Sequence, residues 1–340
     1  MSTGGMETSG RTHFVNMKKV TVIGGGTGTF VVLSGLKQYP IDLGAIVTMM
    51  DSGGSTGVLR DQLGVLPPGD LRQCLVALSE APLLWRKLFL YRFETGDLAG
   101  HNFGNLFLSA LEKVCSNYDE VINTASFVLK TKGKVMPVTF DNSNLGVEYK
   151  SGKTVKGEND IEENIHESSP IKRAFLEPSA NPNRQAVKRI INSDLLIIGP
   201  GDLYTSIIPI LLVKMIKENM VSSKAKIIFI MNLMTKSGQT NNYKASHHLK
   251  ALEIYLGRSP DMILLNSGKI PSEILQWYRQ HNEKVVENDL VSNGFKGKII
   301  EADLIDTHQF KKSASDNLTR SILRHDSLKL ATELKKIIYP

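Results

Sequence analysis

The stretch KKVTVIGGGTGTF, Lys18 to Phe30, runs a short strand rich in β-branched residues straight into Gly24-Gly25-Gly26-Thr27-Gly28, four glycines in five positions, followed by Thr29. Backbone N–H groups in such a strand-to-helix turn point outward and the helix start beyond it favours negative charge, so phosphate is the natural guest. A helix is predicted from about Phe30 to Gln38, stopped by Pro40. Three known glycine patterns come near. A P-loop ends in Gly-Lys-Ser/Thr, and no lysine is present; the dinucleotide fingerprint has Thr29 where its third glycine belongs; the tubulin-type loop fails at Phe30.

Outward from this turn, strand, Gly-rich turn and helix alternate, the pattern of a parallel sheet covered on both faces. Ala45 to Met50 reads as the second strand, and helical periodicity dominates Gly69 to Lys130. Over about 133–178 the character changes. Strands are expected at Lys134 to Phe140, Gly146 to Tyr149 and Ile171 to Leu176, joined by polar stretches such as Lys156 to Ser169, and together they read as a β-rich insert. The rhythm resumes with a helix at Gln185 to Asn192, a strand at Leu195 to Ile198 and a helix at Ser206 to Asn219. A strand at Lys226 to Met231, a helix at Asn242 to Leu256, a strand at Met262 to Leu265 and a terminal helix at about Asn317 to Ile338 complete it. The expected fold is α/β, Rossmann-like and doubly wound, a mainly parallel sheet with helices on both faces and a small inserted β-rich segment. Residues 17–340 are expected to form one domain. Residues 1–16, rich in Gly, Ser and Thr, read as a disordered tail or a cloning remnant, since Met17-Lys18-Lys19 looks like a natural start.

The composition narrows the function. Of 340 residues, 41% are hydrophobic and 22% charged, ordinary for a globular protein. The net charge of +7 comes without a dense basic run, so nucleic acid is not an expected partner. The longest apolar run, Ile207 to Ile216, is interrupted by Pro209 and Lys214, too short for a membrane span. No secretory signal is apparent, and Cys74 and Cys115 sit at no metal-ligand spacing; they read as reduced thiols in a cytoplasmic protein. A homodimer is the expected assembly.

In open parallel sheets ligands bind outside the carboxyl ends of strands. The second such turn is DSGGSTGVLR, Asp51 to Arg60. Asp51 could accept ribose hydroxyls or hold Mg2+, the one cofactor the pattern admits, or merely cap a helix. Ser52 and Ser55 supply hydroxyls around Gly53 and Gly54, and the planar fork of Arg60 suits a diphosphate. In the third turn, PPGDLR (Pro67 to Arg72), Asp70 suits a helix start, whereas a cation at Arg72 opposes the helix dipole and calls for an anionic partner. A fourth set joins His101, Asn102 and Asn105 of HNFGN, Gly199, Gly201 and Asp202 of GPGDLYTS, and Asn232 and Thr235 of NLMT. A lone histidine such as His101 is more often structural than catalytic.

Taken in order, these turns resemble the family that contains CofD, the 2-phospho-L-lactate transferase, and YvcK, the gluconeogenesis-factor type. IGGGTGT (Ile23 to Thr29), DSGGSTGVLRDQL (Asp51 to Leu63), PPGDLRQCLVALS (Pro67 to Ser79), HNFGNL (His101 to Leu106) and IGPGDLYTSIIPILLV (Ile198 to Val213) carry the likeness. So do NLMTKSGQTNNYKASHHL (Asn232 to Leu249), EADLID (Glu301 to Asp306) and LRHDSLKLA (Leu323 to Ala331). The chain looks closest to the YvcK branch. That resemblance implies a Rossmann-like protein that binds a uridine-diphosphate sugar such as UDP-N-acetylglucosamine and acts in cell-wall homeostasis and cell shape, with no assigned reaction. The diphosphate would rest on Gly24 to Gly28, with Thr27 and Thr29 as hydroxyl donors. Asp51 and Asn232 would contact ribose or sugar, Tyr243 would stack on the base, and Arg324 would reach the same cleft. The CofD branch implies instead a Mg2+-dependent transfer of a phospholactyl group from a guanylyl donor to a deazaflavin. One departure bears on metal chemistry: YvcK-type proteins usually show Asp-Asp-Gly-Gly where this chain has Asp51-Ser52-Gly53-Gly54, which weakens a metal site at Asp51.

Overall fold

The computed structural model describes residues 17–307 and 321–340. β1 (Lys19–Gly24) leads through α1 (Thr27–Leu36) to β2 (Asp42–Val47). Then come α2 (Gly54–Leu63), α3 (Gly69–Leu78), α4 (Leu83–Leu90), α5 (Phe103–Val114), α6 (Tyr118–Leu129) and β3 (Lys134–Pro137). The insert follows as β4 (Asn144–Tyr149), β5 (Thr154–Lys156), the short helix α7 (Glu158–Glu163) and β6 (Ile171–Glu177). Next are α8 (Arg184–Asn192), β7 (Leu195–Ile198), a π-helical turn at Leu203–Ile207, α9 (Ile208–Leu211), α10 (Ile216–Ser222) and β8 (Lys226–Ile230). The chain ends through α11 (Ala245–Leu256), β9 (Met262–Asn266), α12 (Ser272–Gln280), β10 (Lys298–Ala302) and α13 (Ser327–Ile338).

Seven strands pair in parallel in the order β10-β9-β8-β7-β1-β2-β3. The chain winds from β1 outward through β2 to β3, then returns to β7 on the other side of β1. Right-handed crossovers in opposite directions put their helices on opposite faces. On one face α1 packs against α3 and α13; on the other, α10 packs against α8 and α11. Strands covered on both faces read as unbroken apolar runs, and Ala45 to Val47, Leu196 to Ile198 and Ile227 to Ile230 are all fully buried. Thr21 is the polar exception in β1. Its hydroxyl meets Arg189 Nε at 2.7 Å and Ser193 Oγ at 2.8 Å, while Arg189 also pairs with Asp42 at 2.8 Å, tying α8 to β1 and β2. The sheet is thus anchored at the edge opposite its carboxyl end.

The structure redraws several predicted elements. The strand expected at Lys134 to Phe140 stops at Pro137 and belongs to the main sheet, where it pairs with β2; the antiparallel three-stranded sheet of the insert starts only at Asn144. β2 ends at Val47, three residues before the expected Met50, and Gly54 to Gly57 open α2. The expected helix from Ser206 to Asn219 is broken: Pro209 has no N–H to give the preceding turn, a π-helical turn precedes it, and Met215 adopts φ +63°. α1 starts at Thr27 where Phe30 was expected, and α12 and β10 appear where no element was read. The tail at 1–16, and the start of the terminal helix expected at Asn317, lie outside the described residues.

Candidate functional site

The strand order reverses between β1 and β7, and the loops leaving those two strands face each other there. Ligands of open α/β sheets bind at such a switch point. Gly24, Gly25, Gly26 and Gly28 all keep negative φ, so the glycines do not serve a left-handed turn. They serve close approach. A Cβ on Gly28 would overlap the Pro200 carbonyl oxygen, and one on Gly25 would lie 2.9 Å from Ser206 Oγ. A Cβ on Gly26 would lie 2.5 Å from both Asp70 Oδ1 and Gln73 Nε2. The first turn is therefore flanked by the Gly199–Asp202 loop on one side and by α3 on the other, and Thr27 Oγ1 donates to Gln73 Oε1 at 3.2 Å.

The second and third turns are fastened together. Asp51 Oδ1 accepts from Gly53 N at 2.9 Å, and a Cβ on Gly69 would lie 2.5 Å from Asp51 Oδ2 and from Thr56 Oγ1. Ser55 Oγ meets His101 Nδ1 at 3.3 Å, accepts from Asn102 N at 3.2 Å and from Asn105 Nδ2 at 3.3 Å. The HNFGN run thus supports the second turn from behind: Asn102 caps α5 by accepting from Asn105 N. Arg72 is buried, donating to Asn105 Oδ1 at 2.7 Å and to the Phe89 carbonyl at 3.2 Å. Those acceptors account for part of what the sequence assigned to an anionic ligand.

All four turns open into one cleft of about 520 Å3, roofed by α7 of the insert and closed at the β9 side by α12 and the segment before α13. Such a volume suits a nucleotide-sized ligand. Its charge is mixed. Glu158 and Glu162, one turn apart on α7, face the second turn and the π-helical turn: Glu158 Oε2 accepts from Ser52 N at 3.4 Å and Glu162 Oε1 from Thr205 Oγ1 at 3.3 Å. Burial pushes both carboxyls above the usual range, reinforced for Glu158 by Glu162, Asp51 and Asp70 and for Glu162 by Asp202. Lys236 Nζ lies 4.0 Å from Asp202. Burial pulls its ammonium down, but Asp202, Glu162 and Glu283 outweigh that and hold it protonated.

The cleft lining includes Gly25, Gly26, Thr27, Gly28, Asp51, Gly53, Ser55, Asp70, Arg72, Asn105, Gly201, Asp202, Asn232, Thr235 and Arg324 from the sequence reading. Nine expected residues stand elsewhere. Gly24 and Thr29 pack beneath the first turn, with Thr29 buried; Gly54 and Gly199 shape the backbone with positive φ; His101 and Asn102 brace Ser55 from behind. Ser52 Oγ accepts from Asn159 N at 2.9 Å, holding the insert to the second turn. Arg60 is turned to Asp61 and Asn144 at 2.8 and 3.3 Å, away from any diphosphate, because it lies in the second turn of α2, on the side facing the insert. Tyr243 bonds Tyr204 Oη at 3.3 Å, packs against the His248 ring in a T-shaped pair and does not line the cleft. No group of three or more His, Cys, Asp or Glu that could hold a metal ion occurs among the described residues. Missed by the sequence reading were Gln73, Glu158, Glu162, Lys236, Trp277 and His325, all of which line the cleft. Glu158 and Glu162 had one available signal, a spacing of four, but it lay in a stretch read as a polar connection.

The comparisons with known proteins agree with this architecture. The family model described as 2-phospho-L-lactate transferase CofD matches residues 20–305. The gluconeogenesis factor of Listeria innocua is 44% identical over 260 residues, 76% of this chain and 80% of that protein. That of Bacillus subtilis is 39% identical over 323 residues, 94% of this chain and 98% of that protein. The crystal structure of a UPF0052-family protein from Bacillus halodurans matches with a TM-score of 0.84 at 36% identity, covering 94% of this chain and 99% of that one. Among the described residues no helix is long and apolar enough to cross a membrane. The chain belongs to the CofD/YvcK family, with relatives named gluconeogenesis factor.

Proposed function

We propose that the protein binds a nucleoside-diphosphate sugar of the UDP-N-acetylglucosamine kind and acts as a regulatory protein of the gluconeogenesis-factor type, linked to cell-wall homeostasis and cell shape. The observation that carries the reading is the crevice at the β1/β7 switch point, where Gly25, Gly26 and Gly201 line a cleft of nucleotide size. The start of α1 lies beside it and favours a diphosphate, and the carboxylates of Asp51 and Asp70 supply partners for sugar hydroxyls. The reading places the protein in the cytoplasm. It also takes two copies as the working unit, for which the exposed apolar side chains Leu84 and Phe127, 76% and 83% accessible, offer a contact surface. A thermal-shift series tests the ligand: UDP-N-acetylglucosamine should raise the melting temperature by mass action, whereas NAD and GTP should not. A shift with NAD and none with any uridine nucleotide overturns it. The transferase reading rests on the description of the matching family model; steady product from a guanylyl-phospholactate donor, Mg2+ and a deazaflavin acceptor would establish it instead.

A further inference from the structure

Two acceptors stand without donors at the carboxyl end of β8. His325 is 6% exposed and bridges Ile305 beyond β10. The main chain of Met231 favours the protonated ring, the effect of a carbonyl oxygen facing a ring N–H, since the Met231 N–H is already given to the Leu264 carbonyl at 3.0 Å. The remaining ring nitrogen, Nε2, is then an acceptor; it is buried and has no hydrogen-bond partner among the described residues. The residue after Met231, just beyond the end of β8, repeats the pattern. Asn232 Nδ2 donates to the Gly201 carbonyl at 2.8 Å, which fixes the amide and leaves a buried Oδ1 with no partner among the described residues. Both side chains line the cleft. Buried acceptors are nearly always satisfied in native proteins, and a matched pair in a ligand cleft points to a ligand that brings two donors.

We propose that Asn232 Oδ1 and His325 Nε2 form a paired-acceptor subsite that receives the two hydroxyl hydrogens of a ribose diol. This rests on the reading of the cleft as a nucleotide-sugar site and orients the ligand within it. A diol offers two hydroxyl donors on adjacent carbons; the uracil edge offers a single N–H between two carbonyls. The surroundings agree with that choice. Beyond the pair on the same side lie the ring of Trp277, stacked on His281 at 3.9 Å, and the apolar side chain of Leu323, a surface suited to a flat base. The opposite side, lined by Asp51, Asp70 and Glu158, is left for the hexose. Burial lowers the His325 pKa to about 4, so the ring stays neutral and accepting at physiological pH.

Calorimetric titration of the wild-type chain at pH 7.5 with UDP, 2′-deoxy-UDP and 3′-deoxy-UDP tests the assignment without any variant. Each missing hydroxyl should weaken binding by about tenfold. His325→Phe, checked for an intact melting transition, should bind UDP more weakly and no longer distinguish it from the deoxy analogue whose hydroxyl it served. Titration with UDP-N-acetylglucosamine and its 3- and 4-deoxyhexose analogues separates the two sources of paired hydroxyls. Equal affinity for UDP and both deoxy-UDPs, or a penalty for the deoxyhexoses alone, overturns the ribose subsite while leaving the nucleotide-sugar reading in place. If uridine nucleotides fail but GDP or ADP binds with the same deoxyribose penalty, the UDP reading falls and the subsite stands. Binding of no nucleotide overturns both.

Discussion

His248 offers a direct test of how the α11 side of the sheet is packed. Its ring is 1% exposed, bonded through Nδ1 to the Lys244 carbonyl at 3.1 Å and set edge-on against Tyr243. Burial lowers its pKa from 6.5 to about 4, only partly offset by the Lys244 bond. The unfolded chain therefore takes up a proton near pH 6.5 that the folded chain refuses until about pH 4. Between those values the unfolded state binds more protons, so stability is full above pH 6.5 and is lost as the pH falls. The shift corresponds to about 3 kcal/mol for this one group, a large share of a typical folding free energy. The raw pH curve also contains opposing contributions, because Glu158, Glu162 and Glu283, held above the usual carboxyl range, stabilise the folded chain as they protonate. Urea unfolding of wild type and His248→Phe from pH 7.5 to 4.5 cancels those contributions in the difference. The lost Lys244 bond gives a constant offset. The wild type should lose up to about 3 kcal/mol relative to the variant across the window from 6.5 towards 4. Parallel curves would refute the claim that this imidazole is buried and neutral.

Gly28→Ala should destabilise the fold by about 1–3 kcal/mol or more, read as a lowered melting temperature, since its Cβ meets the Pro200 backbone. Gly26→Ala meets only the side-chain ends of Asp70 and Gln73, so it should keep the fold and lose UDP-sugar affinity in calorimetry; unchanged binding removes the first turn from the ligand site. Ser52→Ala removes the acceptor of Asn159 N–H and should cost about 1 kcal/mol, with faster amide exchange at Asn159. Asp51→Asn should weaken UDP-sugar binding by roughly 1.5–3 kcal/mol with or without Mg2+; loss of a Mg2+-dependent turnover would instead establish an enzyme.

The parts of this molecule that were legible in the sequence are those in which one local pattern decides the outcome. Apolar β-branched runs closed by glycine mark β1 and β7, and the crevice follows from them. The parallel sheet and its switch point needed no more than the order of such units. Legibility fails where tertiary contacts override local preference. α1 starts inside Gly-Thr-Gly, a poor helix former, because Pro200, Asp70 and Gln73 leave room for nothing larger. β10, KIIEA, carries only exposed and half-exposed residues at the sheet edge and lacks the buried apolar run of an interior strand. Arg60 and Tyr243 were assigned by nearness in the chain to turns that do face the cleft, yet each points elsewhere. Glu158 and Glu162 reach the cleft only because the insert folds back over the second turn, a relation no local window contains.

The position of β1 also sets the order in which the crevice can exist during synthesis. Val20 pairs with Leu43 on one edge and with Leu195 on the other. The first partner follows within a helix's length, whereas the second leaves the ribosome only after the whole insert and α8. At about 5–20 residues per second the intervening chain takes roughly ten to thirty seconds to make. For that interval an interior strand of the finished sheet is an open edge with largely apolar faces, the situation in which strands recruit wrong partners. A nucleotide sugar offers no help at this stage, since half of its cradle is untranslated. Nascent chains arrested before Leu195 should therefore be recovered with chaperones whatever the supply of ligand, and chains released beyond β8 should not.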